Sequence, residues 1–169
     1  VSGYTTFVND GGRGDPILVT QIEDMHGNIV ATLTPKMTEV LTADAAHKML
    51  YMLQNVINGG TGGRLRSSFG LQMPLGGKTG TTQNNSDAWF MGFTPDLVAG
   101  CWIGGEERSV RFNTMTFGQG AAAALPIFGN FIKKVYSDHN LGYLGNIPFQ
   151  LPEGFLPCGD AGNSDEAVE

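Results

Sequence analysis

The sequence predicts an α+β fold, an antiparallel sheet flanked by helices. Three observations lead there. Apolar residues recur at helical spacing over residues 42–58 and again over about 121–136. Two apolar runs, 88–94 and 97–103, are joined by Pro95-Asp96, residues suited to the middle of a tight turn. The elements follow one another as hairpin, helix, two or three adjacent strands, helix, which is the order of an antiparallel sheet carrying helices on its faces.

Taken in order, the chain opens on Val1-Ser2-Gly3-Tyr4-Thr5-Thr6-Phe7, which reads as the interior of a helix whose start has been cut away. Asn9-Asp10-Gly11-Gly12 stops it. Residues 17–22 and 28–33 are rich in β-branched side chains and flank His26-Gly27, so they form a β-hairpin with His26 as a turn residue. From 42 to 58, Ala45, Ala46, Met49, Leu50, Leu53, Val56 and Ile57 make one apolar stripe, Asp44 suits the first turn, and Gly59-Gly60 ends the helix. His47 falls off that stripe and is expected in solvent. A polar stretch, 64–68, leads on towards Gly76-Gly77. The strands 88–94 and 97–103 are apolar on both faces and should be covered on both sides, with Trp89, Phe90, Phe93 and Trp102 as packing residues. The last helix carries Leu125, Phe128, Phe131, Ile132 and Val135 on its stripe, with Pro126 tolerable near its start.

With 169 residues, 41% of them hydrophobic, the chain suits one globular unit with a real core. Residues 1–158 are assigned to it. Residues 159–169 are acidic and almost free of apolar surface, and are expected to be a disordered tail. The net charge of −6 and scattered Lys and Arg exclude a nucleic-acid footprint. No apolar stretch is long enough to span a membrane, so no membrane contact is expected from this segment. Cys101 lies in an apolar run and reads as a buried free thiol; Cys158 borders the tail, which disfavours a disulfide between them. Neither has metal spacing, and no metal or cofactor is expected.

The chemistry concentrates in Gly77-Lys78-Thr79-Gly80-Thr81-Thr82. A phosphate loop would need glycine where Gln72 stands and a helix where Gly-Thr-Thr-Gln-Asn-Asn follows, so that reading fails on both sides. The remaining reading is the Lys-Thr-Gly element of serine acyltransferases, on an edge strand lining a catalytic cleft. Lys78 would supply positive potential there. Thr79 and Thr81, alternate residues of a strand, would offer hydroxyls to a peptide ending in a carboxylate. Gly80 would let a substrate backbone lie against the strand, and the N–H of Thr81 would serve an oxyanion hole. Thr82 joins the substrate-binding set. A glycine-rich turn is the bland alternative for the motif taken alone.

The surrounding residues decide between them. Gly76 to Thr82, then Asp87-Ala88-Trp89-Phe90-Met91-Gly92-Phe93-Thr94-Pro95-Asp96, then Trp102-Ile103-Gly104, closely resemble the class A penicillin-binding proteins. Tyr4-Thr5-Thr6-Phe7-Val8-Asn9, Ile22-Glu23-Asp24 and Gly118-Gln119-Gly120-Ala121 extend the likeness across about residues 2–152. The resemblance implies the C-terminal part of a penicillin-binding, serine β-lactamase-like transpeptidase fold. It implies D,D-transpeptidase chemistry on peptidoglycan stem peptides ending in D-Ala-D-Ala, and acylation of the same serine by β-lactams. It also implies a parent protein that is a glycosyltransferase as well, membrane-anchored and working at the extracytoplasmic face of the bacterial membrane. The family's Ser-x-x-Lys and Ser-x-Asn motifs are missing. None of Ser2, Ser67, Ser68, Ser86, Ser109, Ser137 and Ser164 has Lys three residues on or Asn two residues on. The chain is therefore expected to lack the nucleophile, to need an N-terminal part of the same domain as partner, and to be inactive alone. The alternatives are a β-lactamase-like hydrolase, against which the 89 residues after Gly80 argue, and a non-catalytic peptidoglycan-binding module.

Overall fold

The computed structural model describes residues 1–152 and Phe155. Its elements are α1 (Ser2–Val8), β1 (Gly12–Gly14), β2 (Gln21–Glu23), β3 (Ile29–Thr32), β4 (Met37–Glu39), α2 (Ala43–Asn58), α3 (Arg64–Ser67), β5 (Gly76–Thr81), β6 (Asp87–Phe93), β7 (Val98–Gly104), α4 (Met115–Gly118) and α5 (Ala124–Ser137). β5, β6 and β7 form an antiparallel sheet in that order, with β5 on an edge. β1 pairs with β4 and β2 with β3 as two separate ribbons.

The α+β layout is as expected, and the two long helices form for the expected reasons. Thr42 caps α2, its Oγ1 accepting the N–H of Ala45 at 3.3 Å, and Asp44 pairs with Lys48 at 2.8 Å one turn later. In α5, Pro126 sits in the first turn, where no intrahelical N–H is needed. Leu125, Phe128 and Ile132 of α5 are fully buried against one face of the sheet, where Phe90 meets Phe128 at 5.0 Å between ring centroids. A second cluster, Leu50, Leu53 and Phe93 with Tyr4 and Phe7, binds α1 and α2 to the other end of β6. Each fully buried Phe or Leu contributes about 1.5–3 kcal/mol of transfer free energy.

Several expectations need correction. β6 and β7 are not covered on both sides: Trp89 and Trp102 pair across the strands and stand 43% and 48% exposed, because α5 covers only the opposite face and α1 and α2 reach only the far end of β6. Only Phe90 and Phe93 of the four aromatics pack as core. His47 is buried, not solvated: Asp10, at the stop of α1, lies 2.7 Å from its Nε2, and the Phe155 ring packs edge-on against it. Met49 and Phe131, counted on the apolar stripes, are exposed. The hairpin is present but shorter, with strand pairing only from Gln21. Asp24 ties its turn, its carboxylate accepting the N–H groups of His26 and Asn28. The β1–β4 ribbon, α3 and α4 were not anticipated. Cys101 is half-buried, and burial pushes its thiol pKa up. Cys158 and the acidic tail lie outside the described residues.

Candidate functional site on the edge strand

β5 is anchored at its start by glycine and at its end by asparagine. Gly76 and Gly77 are buried against Phe93 and Gly92 of β6. Asn84 and Asn85 turn the chain at positive φ of 62° and 57°, a conformation short polar side chains tolerate. The entry to β5 is fixed by Arg66 of α3, whose Nη1 donates to the carbonyls of Leu71 and Met73 at 2.7 and 2.6 Å.

Pairing register sets where each motif residue points. Lys78 opposes Met91 and Gly80 opposes Trp89, on the sheet face that is open to solvent. Thr79 opposes Phe90 and Thr81 opposes Ala88, on the face that α5 covers. Main-chain groups alternate as well. Thr82 N–H donates to the Asp87 carbonyl at 3.0 Å, which makes 82 and 87 a hydrogen-bonded pair. The antiparallel alternation then turns the N–H and C=O of Thr81 and of Thr79 away from β6, onto the free edge. Lys78 marks that edge: its Nζ donates to the outward Thr79 carbonyl at 2.7 Å.

The three hydroxyls meet different fates. Thr79 Oγ1 lies 3.0 Å from Thr61 Oγ1, on the glycine-rich loop after α2. Thr81 Oγ1 accepts the N–H of Gly120 at 3.0 Å. Thr82 Oγ1 turns into the β5–β6 connection, 2.9 Å from Ser86 Oγ and 3.2 Å from Asp87 Oδ2. That places Thr82 apart from Lys78 and Thr79. Ser86 Oγ and Trp102 Nε1 also donate to the Asp87 carboxylate, each at 3.0 Å, and with Thr82 they hold its pKa below the ordinary carboxylate value. Gly80 is an ordinary strand residue; among the described residues the positive-φ glycines are Gly11, Gly27, Gly70 and Gly142. A Cβ on Gly80 would come 3.2 Å from Trp89 Cβ.

Thr61, Asp87 and Gly120 are the residues that sequence reasoning did not place at this strand. Gly118-Gln119-Gly120 carried a signal: glycines flanking one residue just before a helix start often mark a close backbone approach. Among the described residues, no group of three or more His, Cys, Asp or Glu converges as a metal site, and no helix is long and apolar enough to cross a membrane.

The structure superposes on penicillin-binding protein 1A from Haemophilus influenzae with a TM-score of 0.75 at 22% identity, over 90% of this chain and 27% of that one. It also matches PonA1 from Mycobacterium tuberculosis, with a TM-score of 0.69 at 19% identity, over 89% of this chain and 39% of that one. The family model for the penicillin binding protein transpeptidase domain matches residues 1–101, and the chain belongs to that family. Its sequence is 33% identical over 151 residues to penicillin-binding protein 1A of Aquifex aeolicus, covering 89% of this chain and 19% of the relative. It is 29% identical over 130 residues to penicillin-binding protein 1B of Vibrio cholerae, covering 77% of this chain and 16% of the relative. The chain thus spans no more than about a fifth of the length of these last two relatives.

Proposed function

We propose that this chain is the C-terminal wall of a D,D-transpeptidase site whose acylating serine lies on a preceding segment of the same domain. The observation that carries the reading is the outward edge of β5. There an exposed lysine, a strand glycine with ordinary dihedrals and two outward-facing main-chain positions lie side by side. In the reaction, the serine Oγ attacks the carbonyl between the two D-Ala residues, and the C–N bond breaks as the leaving D-Ala amine takes the proton. The amine of a neighbouring stem peptide then attacks the acyl-serine, releasing the serine. β5 contributes to both steps. An extended stem peptide adds to its edge through the main-chain groups of Thr79 and Thr81. The N–H of Thr81 is positioned as an oxyanion donor and Lys78 supplies positive potential, interactions worth most where charge develops.

The exposed Trp89–Trp102 face is where the preceding segment of the domain would pack. The parent would also carry a glycosyltransferase unit and act at the extracytoplasmic face of the membrane, anchored outside this chain. β-Lactams would acylate the same serine. Adduct mapping tests the proposal. After the full-length protein is treated with penicillin and digested, the added mass should sit on a serine followed three residues later by lysine, outside residues 1–169. An adduct on any of the seven serines here, or no adduct at all, would overturn it. Rapid loss of the adduct as penicilloic acid would favour a β-lactamase-like hydrolase instead.

A further inference from the structure

Three threonine hydroxyls lie on or beside the motif, and their hydrogen-bond commitments differ. The Thr82 proton is taken by the β5–β6 turn, where its Oγ1 is within 3.3 Å of the Asp87 carbonyl and 3.2 Å of its carboxylate. Thr79 shares a bond with Thr61 in which either oxygen can donate. Thr81 is different. Its Oγ1 accepts the N–H of Gly120, and among the described residues its own proton goes to no acceptor. A hydroxyl carries one proton and two lone pairs. With a lone pair turned to Gly120, the proton is directed away from the α4–α5 connection, and Thr81 is exposed.

Gly120 is itself held firmly. Its carbonyl starts α5, accepting the N–H groups of Ala124 and Leu125 at 3.1 and 2.9 Å. The next carbonyl, that of Ala121, accepts from Arg64 Nη1 at 3.0 Å. Its Cα lies so close to the sheet that an added Cβ would fall on the Trp89 carbonyl oxygen and 2.6 Å from the Gly80 carbonyl oxygen. Both obstacles are main chain, so no side chain can rotate out of the way.

We propose that Gly120 is a positioning residue of this site: its N–H, mounted on the start of α5, orients the Thr81 hydroxyl as a proton donor to the substrate's terminal carboxylate. Glycine is required there because only a residue without Cβ lets that N–H reach Thr81. The inference rests on the proposed transpeptidase reading and adds to it the residue that gives one hydroxyl its polarity. A donor set by a fixed backbone N–H favours an anion over a neutral acceptor, so Gly120 contributes to selection for a carboxylate.

The test compares acylation of the full-length protein by benzylpenicillin and by its carboxamide analogue, which lacks the negative charge. The ratio of the two acylation rate constants should fall about tenfold in Gly120→Ala, the scale of one hydrogen bond to a charged group. Gly129→Ala, within α5 and facing the Phe69 ring, is the control and should keep the wild-type ratio. If Gly120→Ala is recovered unfolded, hydrogen exchange of the Gly120 amide decides. It should be protected in wild type and in Thr81→Ser, and should exchange faster in Thr81→Val, with the ratio falling only in Thr81→Val. Equal losses on both ligands in folded Gly120→Ala, or unchanged Gly120 protection in Thr81→Val, would overturn the role of Gly120. Failure of the wild-type protein to be acylated at all would instead overturn the transpeptidase reading.

Discussion

The β2–β3 hairpin and the β5–β6–β7 sheet are both antiparallel and both rich in apolar side chains, yet they end in opposite environments. Leu18, Met25 and Val30 beside and within the hairpin are 99%, 91% and 66% exposed, whereas Phe90 and Phe93 of β6 are at 0%. What separates them is the second layer. α5 lies across one face of the sheet, and among the described residues no helix lies across the hairpin. Strand pairing satisfies the backbone in both, but only an opposing layer removes side chains from water. The motif strand belongs to the covered region, which is why it can be held in place by the α4–α5 connection, by the loop after α2 and by β6 at once.

The largest effect should come from breaking the covered region. Phe90→Ala removes a side chain packed at 5.0 Å on Phe128 and should cost about 3–5 kcal/mol, read as a lower midpoint in urea or thermal unfolding. A loss below about 1 kcal/mol would mean that α5 does not carry the sheet. Next comes Lys78→Ala in the full-length protein. It should slow acylation by penicillin by roughly a hundredfold, up to ~3 kcal/mol of transition-state stabilisation, with the unfolding midpoint unchanged. Equal rates would remove Lys78 from the site.

Gly80 sharpens the comparison, because it tests whether the edge of β5 is a surface or a turn. Gly80→Ala and Gly80→Asn should both cripple acylation while costing at most about 1 kcal/mol of stability, since Gly80 has no positive φ to preserve. Activity restored by asparagine would mark a hinge instead. The smallest effect belongs to the hairpin. Val30→Thr, at an exposed position, should change stability by no more than about 0.5 kcal/mol, and a larger loss would reveal a covering layer on that ribbon.

How much of this was legible in the sequence follows the same division. Leu50, Leu53, Leu125, Phe128 and Ile132 announce α2 and α5 because helical period records a neighbour's position directly. The strand pair around Pro95-Asp96 was readable from its turn, which Thr94 closes by accepting the N–H of Leu97 at 3.0 Å. Coverage was not readable. Trp89 and Trp102 look like core in a one-dimensional pattern, and only the register shows that they share the uncovered face. His47 was misplaced for the converse reason: its partners, Asp10 and Phe155, come from remote segments that no local period encodes. Of the proposed site, Lys78, Thr79, Gly80 and Thr81 could be named from the motif. That Thr81 would be tied to Gly120, 39 positions away, depended on how α5 docks.

One measurement bears most directly on the central proposal, that this chain supplies a wall of the site without its nucleophile. Residues 1–169 expressed alone and the full-length protein are each incubated with a fluorescent penicillin and resolved on a denaturing gel. The account predicts a covalent fluorescent band for the full-length protein and none for the isolated chain, since an unactivated serine is a weak nucleophile. A fluorescent band from the isolated chain, with no second polypeptide co-purified, would contradict it.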